Sequence, residues 1–363
     1  MKKSLVALAV LGSFAGFASA ATSVTLYGQI EVGYQDLTGK GNFDLGATPT
    51  SKAEALAQEK VNSKVSQYPR RTDRIGVKGE EDLGNGLAAT FQLEGNIAGD
   101  VGTANLFNRE STVGLKGAFG HVRVGRSRSQ MDMALGGLTG VHGVTDVDLY
   151  SISLSRHSNG LFYDYSNSGF NFGADVTTKG GSVDNTNEGA TGSKVAYGAR
   201  LGYYGNGLLA RVAYQNDGDD AKGRAQHETG GVIAYNFNEL YKVPVLVGVS
   251  YAQGKGLAKG FFAATGLSDA DKVYADKASV LSGIVRGWFS PNDSAYVLFQ
   301  KRKSSINGAT INNAWATGLG YEHKLSKRTA VFVDTVYLKS KNAAGMKADG
   351  KVYGYSFGLA HSF

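Results

Sequence analysis

The 363-residue chain contains no cysteine, which removes disulfide frameworks, zinc-thiolate centres and cysteine nucleophiles from consideration. Proline is scarce, with 4 residues, and tryptophan occurs only twice. Apolar runs are short as well. Beyond the first twenty residues the longest, around 243–249, is broken by Pro244 and Gly248, and a bilayer-spanning helix needs about 20 apolar residues. The 6 histidines form no H-x-x-x-H pair and no serine sits in a nucleophile elbow, so hydrolytic and metal chemistry lack support. What is abundant is glycine, 51 residues, together with 19 Tyr and 17 Phe. That mixture is neither collagen-like nor disordered, and it points to many strands joined by tight turns.

Residues 1–20 read as a secretory signal peptide: Lys2 and Lys3, an apolar stretch from Leu5 to Phe17, and the A-x-A site Ala18-Ser19-Ala20. A mature chain of residues 21–363 is therefore expected. Its loss of two lysines lowers the net charge from +7 to +5. No run of Lys and Arg is interleaved with aromatics, so nucleic acid is not an expected partner.

Downstream the dominant period is two. Leu87, Ala89, Phe91 and Leu93 alternate with Thr90, Gln92 and Glu94, and Tyr353, Tyr355, Phe357, Leu359, His361 and Phe363 alternate with small residues. In 243–251, Leu246 is an apolar exception on the small-residue face. Sixteen such segments are predicted, at 23–37, 71–79, 86–97, 109–118, 121–126, 156–165, 170–179, 194–204, 207–217, 228–238, 243–253, 277–290, 293–303, 313–324, 327–340 and 350–363. The connections between them alternate strictly, short then long. A β-sandwich has no reason to gather its long loops at one end, whereas a transmembrane barrel has short periplasmic turns and long outer loops. Closure satisfies every backbone group in lipid. The expected fold is all-β, a 16-stranded antiparallel transmembrane β-barrel, oily outside and water-filled within.

Several motifs have plainer explanations. Gly84-Asn85-Gly86-Leu87-Ala88-Ala89 matches a dinucleotide fingerprint superficially, but a strand pattern follows it and Gly205-Asn206-Gly207-Leu208 repeats the text, so both read as hairpins. Asp217, Asp219, Asp220 and Glu228 evoke a calcium loop, but Ala221 and Lys222 stand where an oxygen ligand and the turn glycine belong, leaving a solvated loop. Ser51 to Val61 reads as a loop helix. No catalytic, cofactor-binding or metal-binding residues emerge.

The informative residues are charges predicted to point inward. Arg74 shares the wet face of its strand with Lys78, and Arg109 and Arg156 open strands entered from long connections. They fall on the second, fourth and sixth strands, so alternate strands carry the guanidiniums about a nanometre or less apart. Glu94, Gln29, Glu31 and Arg211 also face in, and alternation from Arg109 sends Glu110 outward. Ordinary hydrated lumen charges are the plain alternative. The third long connection, 127–155, is glycine-rich, carries Asp132, Asp146 and Asp148, and is too long for a simple hairpin.

Taken together, Ser23-Val24-Thr25-Leu26-Tyr27-Gly28, Arg74-Ile75-Gly76-Val77-Lys78-Gly79-Glu80-Glu81-Asp82-Leu83-Gly84, Phe91-Gln92-Leu93-Glu94, Val113-Gly114-Leu115, Val124-Gly125-Arg126 and the terminal Phe363 resemble the general porins of the Gram-negative outer membrane, particularly those of β-proteobacteria. The resemblance implies a homotrimer in the cell outer membrane whose third loop folds inward to narrow the pore. It implies a basic pore wall of Arg74, Arg109 and Arg156 with Lys78, and a lumen carboxylate at Glu94. Opposing acids on the third loop are assigned to Asp146 and Asp148 by loop position alone, since the family's Pro-Glu-Phe-Gly-Gly tip is absent. Gln29 stands where relatives often carry a basic residue. Phe363 resembles the signal read by the outer-membrane assembly machinery. The implied function is passive diffusion of ions and small hydrophilic solutes with a mild anion preference. Outer-membrane lipid and lipopolysaccharide are the implied surroundings, and no enzymatic activity is expected. The alternatives are a substrate-specific porin, which would need an inward aromatic ladder, a barrel enzyme, and a receptor or adhesin acting through its loops.

Overall fold

In the computed structural model the described residues are 23–42, 62–67, 73–99, 102–136, 155–178, 195–219, 225–258, 273–342 and 349–363. The signal segment, the loop helix expected at 51–61, and Asp146 and Asp148 lie outside them.

Consecutive strands pair antiparallel all the way round, and the last, β17 (Asp349–Ser362), pairs with the first, β1 (Ser23–Asn42). The second wall is interrupted. β2 (Asn62–Gln67) pairs with Val32–Leu37 of β1, and β3 (Arg74–Gly84) pairs with Ser23–Gln29. These two segments share one position, so the barrel is closed with sixteen walls. At the seam, Gly28 and Phe363 exchange two backbone hydrogen bonds of 3.0 Å each. A Cβ on Gly28 would lie 2.4 Å from the Phe363 ring, so only glycine fits there.

Alternation decides which side chains meet lipid. On β10 (Leu208–Asp219), Val212 is 52% exposed while its neighbour Ala213 is buried at 3%. Large apolar side chains such as Leu26, Val113, Ile233 and Leu319 stand exposed around the outside, where hydrocarbon covers them, while Gln29, Glu31 and Gln35 are buried on the inside. The hairpin readings hold: Asn85-Gly86 and Asn206-Gly207 turn with positive φ.

Three expectations are corrected. The strands run further outward than the alternation of apolar residues indicated. β14 (Asp293–Ile306) and β15 (Ala309–Lys324) meet at an Asn307-Gly308 turn, and β4 (Leu87–Ala98) and β5 (Thr103–Gly117) are separated only by residues 99–102. Their outer ends mix polar and apolar residues without a period of two, so the pairing there leaves no regular alternation to read. For the same reason Asp217 is not a solvated loop residue: it lies within β10 at 3% exposure, and Glu228, on β11 (Ala225–Asn236), is fully buried.

The lumen, finally, is not uniformly wet. The third connection begins with a short helix, α1 (Gln130–Leu135), whose Met131, Ala134 and Leu135 pack against inward residues Ala213, Val232, Ala234, Ala252, Ile284 and Tyr296. Leu246, the apparent exception in its segment, packs against this cluster. The described start of the third connection, through Gly136, therefore lies against the inward face of the barrel.

Candidate functional site: an arginine wall in the lumen

The site forms where regular pairing fails. β4 and β5 stay in register to Glu94 opposite Glu110 and resume at Asn96 opposite Asn105, so residues 106–109 stand against Gly95 alone. This is a large β-bulge. Phe107 within it takes φ 63°, a left-handed conformation that bulky side chains rarely adopt. The bulge resets the alternation. As a result Arg109 and Glu110, adjacent in sequence, both join the inward cluster, and Glu110 is buried at 6% rather than pointing outward.

Glu94 is the hub. Arg109 Nε donates to its Oε1 at 2.5 Å, and Arg74 Nε lies 3.7 Å from its Oε2. The Tyr27 hydroxyl donates to the same Oε2 at 3.0 Å and accepts from Gln92 Nε2 at 2.8 Å. Arg109 Nη1 also donates to Asn96 Oδ1 across the bulge at 3.2 Å. Arg156, the first residue of β7 (Arg156–Asn167), donates to the Arg109 carbonyl at 2.9 Å, and its Nε lies 3.9 Å from Glu110 Oε1. Arg74 and Arg109 thus meet at Glu94 together with Tyr27, and Arg156 joins them through the Arg109 carbonyl and Glu110. Lys78 stands four residues further toward the short-turn end, exposed, its ammonium 5.3 Å from the Tyr27 ring centroid.

Exposure gives this wall its sign. The Arg74 side chain is 34% exposed and that of Glu94 only 9%, so water in the lumen meets the guanidinium before the carboxylate. Within the cluster three guanidiniums stand against two carboxylates.

A second set of arginines holds α1 in place. Arg211 Nη1 donates to the Met133 carbonyl at 3.1 Å, and Arg128 pairs with Asp132, so this third-loop acid is engaged at the helix itself. Arg200 bonds Gln130 Oε1 at 3.3 Å and shares Asp164 with Arg123. The backbone N–H of Gln130 donates to Asp175 Oδ1 at 3.3 Å and that of Met131 to Gln215 Oε1 at 3.2 Å. His157 is fully buried here, with Nδ1 2.6 Å from Asp175 Oδ2 and Nε2 3.1 Å from Asp217 Oδ1. Of these residues only Arg211, Asp132 and Asp217 stood out in the sequence, the last as a loop residue. The signal available was charge on the inward phase of β6 (Gly120–Arg128), β9 (Tyr197–Gly205) and β10.

Among the described residues no group of three or more His, Cys, Asp or Glu is arranged to hold a metal. Trp315 lies between the buried Ala314 and Ala316 and so faces outward, not into the lumen as a sugar-guiding ladder would require.

The family profile described as Gram-negative porin matches residues 7–343. Across the full length of both chains the sequence is 31% identical to outer membrane porin protein 32 of Delftia acidovorans and 28% identical to an outer membrane porin protein of Bordetella pertussis. Among solved structures, the anion-selective porin from Comamonas acidovorans superposes with a TM-score of 0.68 at 24% identity, covering 94% of this chain and 100% of that one, a likeness of fold. A sealed barrel, a short helix packed against its inward face and these matches converge: the chain belongs to the Gram-negative porin family and is a porin of the outer membrane.

Proposed function

We propose that this porin passes ions and small hydrophilic solutes by passive diffusion with a mild anion preference, and that Arg74, Arg109 and Arg156, with Lys78, line its basic constriction. The observation that carries the reading is the arginine wall, where the partly exposed Arg74 fronts a sunken Glu94. Charge fixed in a low-dielectric wall acts across a gap comparable with the Debye length of about 8 Å at physiological salt. Anions are concentrated there and water dipoles oriented, while apolar solutes must displace that water. Asp146 and Asp148 are assigned the facing acidic side by loop position, with Glu94 tempering the basic one. The name of one relative in fold, an anion-selective porin, points the same way.

The test is the reversal potential of single channels in planar bilayers under a salt gradient. An anion-directed potential is expected, and a clear cation preference refutes the assignment of the wall. Saturable block by one solute would favour a substrate-specific channel. We further assign residues 1–20 to a cleaved signal peptide, Phe363 to recognition by the assembly machinery, and the working unit to a homotrimer among outer-membrane lipids including lipopolysaccharide. Amino-terminal sequencing and the mass of the detergent-solubilised assembly check the first and third of these.

A further inference from the structure

The inward face of β14 carries polar groups that the fold leaves without partners. Gln300, Arg302 and Ser304 occupy successive inward positions and are buried at 1% each, while their sequence neighbours Phe299, Lys301 and Lys303 are exposed on the lipid side. Arg302 Nη1 and Nη2, Gln300 Oε1 and Ser304 Oγ all lie in the interior with no hydrogen-bond partner. Gln300 Nε2 donates to Ser282 Oγ on β13 (Val273–Trp288) at 3.4 Å, which leaves the amide oxygen as the unused end. Among the described residues no carboxylate lies within ion-pair distance of Arg302. The one whose charge reaches it is Glu228, also fully buried, three strands away: Glu228 lies opposite Gly254, Gly254 opposite Ala278, and Ala278 opposite Ser304.

The neighbours of the guanidinium offer it nothing. Arg302 lies between Val280 and Ala314, and beyond Val280 the same row continues through Ala252 on β12 (Val245–Ala258) to Gly230. A buried guanidinium without an acceptor is costly, and four orphaned polar atoms on three successive inward positions call for a partner supplied from outside the chain. The place is separate from the arginine wall. β14 is the thirteenth of the sixteen walls and β5 the fourth, and Arg302 is nine residues from Asp293 at its short-turn end as Arg109 is eight from Gly117, so the two stand on opposite sides of the lumen at similar height.

We propose that Gln300, Arg302 and Ser304 form a second anion site, across the lumen from the arginine wall, that takes a protonated tetrahedral oxyanion of the phosphate kind. Arg302 stands between the other two, about 7 Å from each along the strand. Its two Nη groups donate to the oxyanion as a fork, the Ser304 hydroxyl donates to a further oxygen, and Gln300 Oε1 accepts the O–H of the anion itself. A sulfate-type anion has no proton at neutral pH. Its oxygen would meet the amide oxygen lone pair against lone pair, and the field of Glu228 disfavours the same fully deprotonated form. The inference rests on the barrel and its lumen, not on the selectivity assigned to the arginine wall.

The test is anomalous diffraction from crystals of the purified porin equilibrated with arsenate or with selenate at equal millimolar concentration and neutral pH. Arsenate keeps a proton there and selenate does not, and each is located by its own heavy atom. Arsenate is expected beside Arg302, and equilibrium dialysis of the detergent-solubilised protein against radiolabelled phosphate should show phosphate held at least fivefold more tightly than competing sulfate. Gln300→Leu should still take arsenate and admit selenate equally, because only the proton acceptor is gone. Arg302→Met should lose the arsenate at this wall while any at Arg74 and Arg109 persists, with circular dichroism of the solubilised variant reporting its strand content. Absence of arsenate beside Arg302, equal binding of arsenate and selenate there, or a wild-type preference in Gln300→Leu overturns the proposal. Arsenate confined to the arginine wall overturns it as well and leaves the selectivity of that wall standing.

Discussion

Arg109 Nε lies 2.5 Å from Glu94 Oε1, so the shortest ion pair of the arginine wall joins two residues fifteen positions apart across a bulge. One consequence is electrical. Glu94→Gln keeps the shape of the hub and removes its negative charge. At about 4 Å in water a unit charge is worth about 1 kcal/mol, so the anion-to-cation permeability ratio should rise roughly twofold to fivefold. Reversal potentials of wild type and variant in the same salt gradient measure this, and an unchanged ratio would remove Glu94 from the selectivity argument.

Arg74→Ala should act in the opposite direction. The side chain is the most exposed of the arginines that flank Glu94. Its removal should lower the permeability ratio by a similar roughly twofold to fivefold factor and raise conductance, because a bulky group leaves the passage. Single-channel recording reads both quantities at once.

The bulge should store strain. Phe107 at φ 63° holds a backbone conformation that glycine adopts freely, at a cost of about 1–3 kcal/mol for a side-chain-bearing residue. Phe107→Gly should raise resistance to urea unfolding by about 1 kcal/mol, and Phe107→Ala should give no gain, because alanine keeps the Cβ that causes the conflict. The order of the two variants in one denaturation series decides the matter.

His157 between Asp175 and Asp217 should be the pin of the third connection. His157→Leu leaves two buried carboxylates facing each other, which costs about 3–5 kcal/mol when a buried pair loses one partner. Stability should fall accordingly, and current noise should increase because the Gln130 N–H is bonded to Asp175. Adding Asp175→Asn should recover part of the loss in a double-variant cycle.

The barrel was legible in the sequence because hydrocarbon on one side and water on the other imposes a period of two on the stretches of strand that lie between them. Arg74 and Glu94 could be placed from that period, since β3 and β4 pair without slippage between Ile75 opposite Gly95 and Val77 opposite Leu93. Glu110 could not. Four residues against one at Gly95 shift the phase, and nothing in the local text announces a bulge except a lone glycine. The apolar patch under α1 escaped for a different reason: Ala213, Ala234 and Ala252 look like small lumen residues until a helix from a distant connection covers them. Asp217 and His157, buried together from positions sixty residues apart, illustrate the same limit, because their partnership exists only once the strands between them have paired.

The closure of the barrel has a consequence for biogenesis. Gly28 and Phe363 meet at the seam, so the earliest strand to cross the inner membrane waits for the very last residue before its hydrogen bonds are filled. Until then the polypeptide in transit carries two raw sheet margins, each able to recruit a stranger, and it depends on escorts that mask them. A chain shortened by its final residue would lose the two hydrogen bonds that finish that zipper at Gly28.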